Sequence, residues 1–227
     1  MNLEIEDPKD GAQLGEHIYQ TIKKNIINFN IKPGYRISEK EISNLLNVSR
    51  TPVREAFIKL SKEGLLYVLP QRGTYISYID LEEVEETRFI RESLERSVIK
   101  LAAENFPSEL LTKLEKNLKK QTEYIKEKEY AKCLELDEEF HKTIFLGCNK
   151  VKVWSLIEQI NTQYKRIRLL SFFVDINWNK VIKQHEEIIR AIKEKNVVKA
   201  DNIITIHLEK LLFEQIELKE KYPKYFK

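Results

Sequence analysis

Two cysteines, one methionine and six glycines are all that 227 residues contain of these types, and each scarcity excludes something. Cys133 and Cys148 are too few for a disulfide scaffold, and they are expected to be ordinary thiols in a reducing cytosol. The six glycines are scattered, so no glycine-rich loop is available to cradle phosphates, and no internal repeat or low-complexity tract is found. No apolar run reaches transmembrane length and the N-terminal stretch lacks a secretory apolar segment, so a cytoplasmic protein with no membrane partner is expected. Charge of one sign is also in short supply: 39 Lys and Arg against 36 Asp and Glu leave +3. A global electrostatic pull on nucleic acid is therefore absent.

The basic character is local. Residues 48–78 hold five Lys or Arg (Arg50, Arg54, Lys59, Lys62, Arg72) against Glu55 and Glu63. The run from Val48 to Leu66 reads as a helix opened by Ser49 or Thr51 as N-cap with Pro52 in its first turn, and closed by Gly64. Val53, Phe57 and Leu60 fall on one face, while Arg50 and Arg54 project together from another. Two guanidiniums and a hydroxyl at a helix N-terminus suit guanine edges and phosphate. Glu39 to Leu46 makes a short amphipathic helix before it, with Asn47-Val48 as the turn, which gives a helix-turn-helix. After Gly64, two strand-like runs flank Leu69-Pro70-Gln71-Arg72-Gly73, a hairpin with a basic tip. Leu14, Ile18, Ile22 and Ile26 form the stripe of an earlier helix, residues 1–11 are expected to be loosely held, and Ile31 to Ser38 reads as loop.

The residues Ile31-Lys32-Pro33-Gly34-Tyr35-Arg36-Ile37-Ser38-Glu39, the block Ser49-Arg50-Thr51-Pro52-Val53-Arg54-Glu55-Ala56 and Arg72-Gly73-Thr74-Tyr75 resemble, in order and spacing, the winged-helix domain of GntR-type bacterial transcription regulators. That resemblance implies a homodimer on a short inverted-repeat operator in double-stranded DNA. Arg50 and Arg54 would then read bases, Lys40, Ser49 and Thr51 would touch phosphates, and Arg72-Gly73 would enter the minor groove.

From Asp80 onward the pattern is helix after helix. Boundaries at residues 105–108, near Lys128, at 147–149, at Val174-Asp175 and at Asn196 mark six helices of roughly 18–25 residues, long against the average of about 11–12. Asp80-Leu81-Glu82-Glu83 fits a capping box, leaving a linker of a couple of residues. The expected architecture is mainly α, with a winged helix-turn-helix and small β-hairpin wing over residues 1–78 and an all-α six-helix bundle over 79–227.

Three of the four histidines lie in this second part. Asp137 and His141 are four apart on one helix face. His185 shares the stripe of Val181, Ile188 and Ile192, and His207 shares that of Ile203, Ile204, Leu211 and Leu212. A carboxylate and imidazoles turned toward a helical core need something to satisfy them. One Asp and three His suit zinc, nickel or a similar divalent ion, with manganese as a further alternative. The pattern is similar to the FCD effector domain that follows GntR-type winged helices, in its six-helix form. That likeness implies one metal per subunit held by Asp137, His141, His185 and His207.

Arg91 sits in an apolar stripe with Val84, Thr87, Leu94, Val98 and Leu101, where a guanidinium needs an anion. Two readings stay open: an internal pair with Glu95, or a fork onto the carboxylate of a small organic acid whose other oxygens reach the metal. Asn161, Tyr164 and Arg168 are further effector-site candidates, and Trp154 and Trp178 read as packing. The functional expectation is a DNA-binding regulator, a repressor rather than an enzyme, modulated by a small carboxylate. The alternatives are a sensor of the metal itself and a metal-dependent hydrolase with its base among Glu138, Glu139, Glu186 and Glu187.

Overall fold

A computed structural model describes residues 3–5, 13–174 and 178–227, with the side chains of 211–214 excepted. Most of the expected loose run at 1–11, the boundary residue Asp175 and the side chains of Leu211 and Leu212 lie outside the described residues. The chain is mostly helical and divides into two compact units, one of residues 1–81 together with 222–227, the other of residues 82–221. The sequence pattern assigns residues 222–227 to the bundle; they cluster instead with the winged helix.

In the first unit α1 spans Leu14–Ile27, β1 Arg36–Ile37, α2 Glu39–Leu46, α3 Arg50–Lys62, β2 Leu66–Leu69 and β3 Gly73–Ile76. Ile18, Ile22 and Ile26 recur every four residues and are buried, whereas Leu14 is 53% exposed, so the apolar stripe of α1 begins one turn later than its periodicity suggests. They pack with Ile42, Val53, Phe57 and Leu60 in one core. Each such side chain taken fully from water contributes about 1.5–3 kcal/mol.

Ser38 caps α2 by accepting from the Glu41 N–H at 3.1 Å, and Asn47 in the left-handed region closes it. Ser49 stands at the N-cap of α3 in extended backbone. Gly64, at φ 70°, ends it in a Schellman arrangement: the Leu65 N–H reaches the Leu60 carbonyl at 2.9 Å and the Gly64 N–H that of Ser61 at 3.1 Å. Tyr19 and Lys23 of α1 both donate to Glu63, at 2.5 and 2.7 Å, tying α1 to the end of α3.

The wing pairs β2 with β3 antiparallel, Leu66 opposite Ile76 and Leu69 opposite Gly73. The loop expected at 31–38 contributes a strand: β1 pairs with β3 through Arg36 and Tyr75 and gives the order β1-β3-β2. Two residues are too few for an alternating pattern to show.

The second unit comprises α4 Leu81–Glu104, α5 Ser108–Lys126, α6 Tyr130–Gly147, α7 Val151–Ile160, α8 Thr162–Phe173, α9 Trp178–Lys193 and α10 Val197–Lys221. The single helix expected over 150–173 is broken at Asn161, so among the described residues seven helical pieces stand in place of six. The buried Asn161 side chain is committed elsewhere, donating to Glu138 Oε2 at 2.6 Å. The Thr87 hydroxyl donates to the Ile160 carbonyl at 3.2 Å, which answers an acceptor left open at the break.

Phe140, Ile144, Trp154, Ile157, Ile188, Ile192 and Ile204 lie in the bundle core. Cys133 and Cys148 are free thiols. Burial pushes the first up to about 12 and the second to about 11, which disfavours the reactive thiolate.

The glycine at the end of α6 serves an unexpected purpose. Asn149, not Gly147, takes the left-handed conformation there. A Cβ on Gly147 would lie 2.1 Å from Cε2 of Phe106. Gly147→Ala is therefore expected to destabilise the bundle by about 1–3 kcal/mol through overpacking, measured as a lowered urea midpoint. A midpoint equal to wild type would show that Phe106 yields freely.

Candidate metal centre and nucleic-acid interface

Lys40, Ser49, Arg50, Thr51, Arg54 and Arg72 are all exposed, and Gly73 is partly so. Val53, Ala56, Phe57 and Leu60 hold the buried face of α3 against the core, which leaves Arg50 and Arg54 on the outer face at its N-terminal end. Arg50 rests 3.4 Å from Glu39, an exposed pair weak enough to be exchanged for another acceptor. Gly73 has φ 116°, and a Cβ there would stand 2.7 Å from Arg36 Nε. The wing tip thus needs glycine for its backbone angle, while the exposed Arg36 side chain could swing aside from a Cβ.

In the bundle, Asp137 and His141 of α6, His185 of α9 and His207 of α10 are all buried and place one ligand-type atom each within 4.8 Å of one another. His207 Nε2 lies 3.2 Å from His141 Nε2. His185 Nε2 is 3.5 Å from Asp137 Oδ1, and His141 Nε2 is 3.8 Å from Asp137 Oδ2.

The outer ring nitrogens explain this convergence. His141 Nδ1 sits 2.6 Å from Glu95 Oε2, His185 Nδ1 3.1 Å from Gln121 Oε1, and His207 Nδ1 3.1 Å from Gln184 Oε1. Gln121 uses its amide nitrogen on Asn117 Oδ1 at 2.7 Å, which fixes its oxygen toward the imidazole. An acceptor oxygen stands beside every Nδ1, an arrangement that favours the tautomer with its proton there and its Nε2 turned inward. His185 Nε2 has no hydrogen-bond partner, and the Nε2 atoms of His141 and His207 face each other at 3.2 Å. Two imidazole nitrogens bound to one tetrahedral ion at ~2.0–2.1 Å stand ~3.3 Å apart. The donor set, its spacing and the unpartnered Nε2 of His185 fit a divalent cation.

Around this cluster lies a charged layer. Arg168 of α8 forks onto Asp137 at 2.5 and 2.8 Å. Arg91 of α4 is fully buried and donates to Glu95 Oε1 at 2.8 Å, Glu138 Oε1 at 2.9 Å and Asn161 Oδ1 at 3.3 Å. Lys165 stands 3.1 Å from Glu138 Oε2. Arg91 does not lack an anion, as one reading of its apolar stripe supposes; the internal pair with Glu95 is present, and only its Nη2 is without a partner.

Burial would raise Glu138, yet Lys165, Arg91 and Arg168 outweigh it and hold the carboxyl at about 2. Asp137 is likewise held well below the usual range, burial being overcome chiefly by Arg168. Burial pushes His185 down to about 3, with Asp137 partly opposing, and pushes His207 well below its usual value.

The four effector-site candidates separate. Tyr164 and Arg168 line a small cavity with Ser171, Trp178, His207 and Lys210. Asn161 and Arg91 join instead in the network around Glu138, although the Arg91 guanidinium lies 4.9 Å from the Tyr164 ring centre. Glu95, Gln121 and Gln184 were not singled out as partners of the histidines. Only Gln184 adjoins one of these histidines in sequence, but it serves His207 and not its neighbour His185.

Depressed histidines and depressed carboxylates act with the same sign. In each case the unfolded chain binds protons that the folded chain refuses, so stability falls as pH falls. His185 and His207 make this loss begin near the ordinary histidine value of about 6.5, before the carboxylates contribute below about 4.5. Chelator-treated protein should show urea midpoints that decline from pH 7.5 to 5. A flat profile across that range would contradict the neutral, buried imidazoles.

The chain matches the domain described as "Bacterial regulatory proteins, gntR family" over residues 14–76 and the FCD domain over residues 86–210. It is 33% identical over 198 residues to the HTH-type transcriptional repressor RspR of Escherichia coli K12, covering 87% of each chain. Its fold is that of Escherichia coli McbR/YncC, with a TM-score of 0.76 at 21% identity over 93% of this chain and 99% of that one. A GntR transcriptional regulator from Rhodococcus sp. RHA1 is similar, with a TM-score of 0.73 at 21% identity over 92% and 98%. With both domains matched in order, the chain belongs to the GntR family of bacterial regulators, with an FCD domain behind its winged helix, and is a DNA-binding transcriptional regulator rather than an enzyme.

Proposed function

We propose that the protein is a repressor that grips a short inverted repeat as a homodimer and changes its grip when a small carboxylate binds beside a divalent ion. Asp137, His141, His185 and His207 hold that ion, zinc or nickel with manganese as the alternative, and it supplies positive charge to an incoming carboxylate oxygen. The observation that carries the reading is the convergence of one ligand-type atom from each of Asp137, His141, His185 and His207 within 4.8 Å, with an acceptor beside the outer nitrogen of every ring. The relative RspR is itself named a repressor.

Charge balance favours an acid effector over a sensor of metal alone. The carboxylates of Glu95, Asp137 and Glu138 are matched in number by Arg91, Lys165 and Arg168. A divalent ion adds two positive charges to an interior already balanced, and buried charge without a counterion is costly. A small acid carrying two carboxylates restores neutrality. Tyr164 and Arg168 receive it from the cavity side, with the unpartnered Nη2 of Arg91 and the amide of Asn161 behind them. Against hydrolysis, Glu138 is tied to cations, Glu139 pairs with Lys113, and Glu186 and Glu187 are exposed while the histidine cluster is buried.

On DNA, α3 of each protomer lies in successive major-groove segments, with Arg50 and Arg54 on bases, Lys40, Ser49 and Thr51 on phosphates, and Arg72-Gly73 in the minor groove. With an oligonucleotide selected from random-sequence DNA, Arg54→Ala should cost ~1–3 kcal/mol and relax specificity, while Lys40→Ala should weaken all sequences alike. Equal losses on selected and random DNA for Arg54→Ala would refute base reading.

For the bundle, His207→Ala should cut metal retention sharply, and His17→Ala, on α1, should leave it unchanged. Arg168→Gln should abolish the response of operator affinity to a panel of small mono- and dicarboxylates. A switch produced by chelation alone, with no acid effect at any concentration, would instead establish the metal as the signal. A ligand that alters operator affinity tenfold must itself bind with tenfold different affinity to the two states, a coupling of ~1.4 kcal/mol.

A further inference from the structure

The segment after α10 has no role in the reading above, yet it is firmly placed. Helix α10 runs unbroken from Val197 to Lys221 and carries His207. After it, Tyr222 leads into a single 3-10 turn over Pro223–Tyr225, and residues 222–227 cluster with the winged-helix unit. Their anchor is Ile79, which is fully buried and lies in the sequence between β3 and α4. The Ile79 N–H donates to the Tyr225 carbonyl at 2.8 Å, and the Ile79 carbonyl accepts from the Lys227 N–H at 3.0 Å.

Ile79 and Phe226 thereby form a parallel bridge, so both backbone polar groups of Ile79 are answered by this segment. Side chains reinforce the pairing. Phe226 is 7% exposed, the Tyr225 ring stacks on Phe29 with centroids 5.4 Å apart, and Lys227 Nζ reaches Asp80 Oδ2 at 2.9 Å.

The consequence is topological. Helix α4, which carries Arg91 and Glu95, begins at Leu81, two residues after Ile79. Helix α10, which carries His207, ends at Lys221, five residues before Phe226. Two rods that bear groups of the buried cluster therefore run to one short backbone pairing. A pairing centred on two ladder hydrogen bonds in a six-residue segment is short enough to open locally without unfolding either unit.

We propose that residues 222–227 are a second tether, through which the state of the metal centre, carried along α10, sets the strength of the Ile79–Phe226 pairing and so the constraint on the winged helix. This rests on the reading that Asp137, His141, His185 and His207 hold a metal.

The test is hydrogen exchange by mass spectrometry on the full chain, zinc-loaded and chelator-treated, with zinc content measured on the same samples. Exchange at Ile79 and Lys227 should be at least fivefold slower in the loaded protein. Zinc retained through His207 with equal exchange in both states overturns the tether alone, whereas failure to retain zinc overturns the metal reading and the tether with it. A Tyr225→Ala/Phe226→Ser variant should keep its zinc and bind selected DNA within twofold of wild type. It should lose at least four-fifths of the shift in DNA affinity that chelation, or the acid effector on the loaded protein, produces in wild type, and a wild type that shifts with neither overturns the proposal. If that variant fails to fold, Lys227→Pro, which removes the backbone donor to Ile79 and the exposed pair with Asp80 but no buried side chain, serves in its place. A variant that keeps the full shift overturns the proposal.

Discussion

The fork of Arg168 onto Asp137 places opposite full charges where burial excludes water, and such charges persist only when each hydrogen-bonding position is answered. The surrounding helices are organised by that demand. Asp137 is a candidate metal ligand and also the anion of Arg168, and its neighbour Glu138 holds Arg91 and Lys165. Glu95 holds Arg91 with one oxygen and His141 with the other. Removing one member leaves another stranded, so the network is best regarded as one object spread over α4, α6 and α8. Its position also explains why α7 and α8 are two helices. Asn161 gives its side chain to Glu138 and Arg91, and the backbone turns at that residue.

What the sequence made legible was whatever repeats at short range. Apolar spacing located α1, α2 and α3, and the Gly64 stop is visible because a left-handed residue after a helix favours glycine. The histidine cluster was legible for a related reason: Asp137 and His141 share a face by spacing, and His185 and His207 each fall on an apolar stripe. The missed features depend on partners far away in sequence. Gln121 serves His185 across 64 positions and Gln184 serves His207 across 23, and nothing local distinguishes either from a surface glutamine. The helix break at Asn161 has the same origin, since its reason lies on α4 and α6. Strand β1 exists only because β3 pairs with it, and Gly147 marks the ring of Phe106 rather than a helix stop.

The two candidate interfaces obey opposite physical rules. The basic groups around α3 are exposed and weakly paired, as suits residues that must trade solvent for phosphate or base edges. Arg91 and Arg168 of the bundle are buried and multiply paired, as suits residues that must hold a geometry within tenths of an ångström. Nearly neutral total charge conceals this contrast. The same residue types, Arg and Lys above all, serve as detachable contacts in one unit and as fixed struts in the other.

The winged-helix unit is discontinuous in the chain, since residues 222–227 complete what residues 3–81 begin. During synthesis, Ile79 cannot find its pairing partner until residue 226 has been made, by which time the entire bundle has been translated. A nascent chain therefore finishes its DNA-binding unit only after its regulatory unit exists to be folded. The same topology governs the grafting of one regulator's winged helix onto another's bundle: a single junction at residue 81 would part Ile79 from its own strand partner, so a chimera faithful to the fold must exchange two segments of chain.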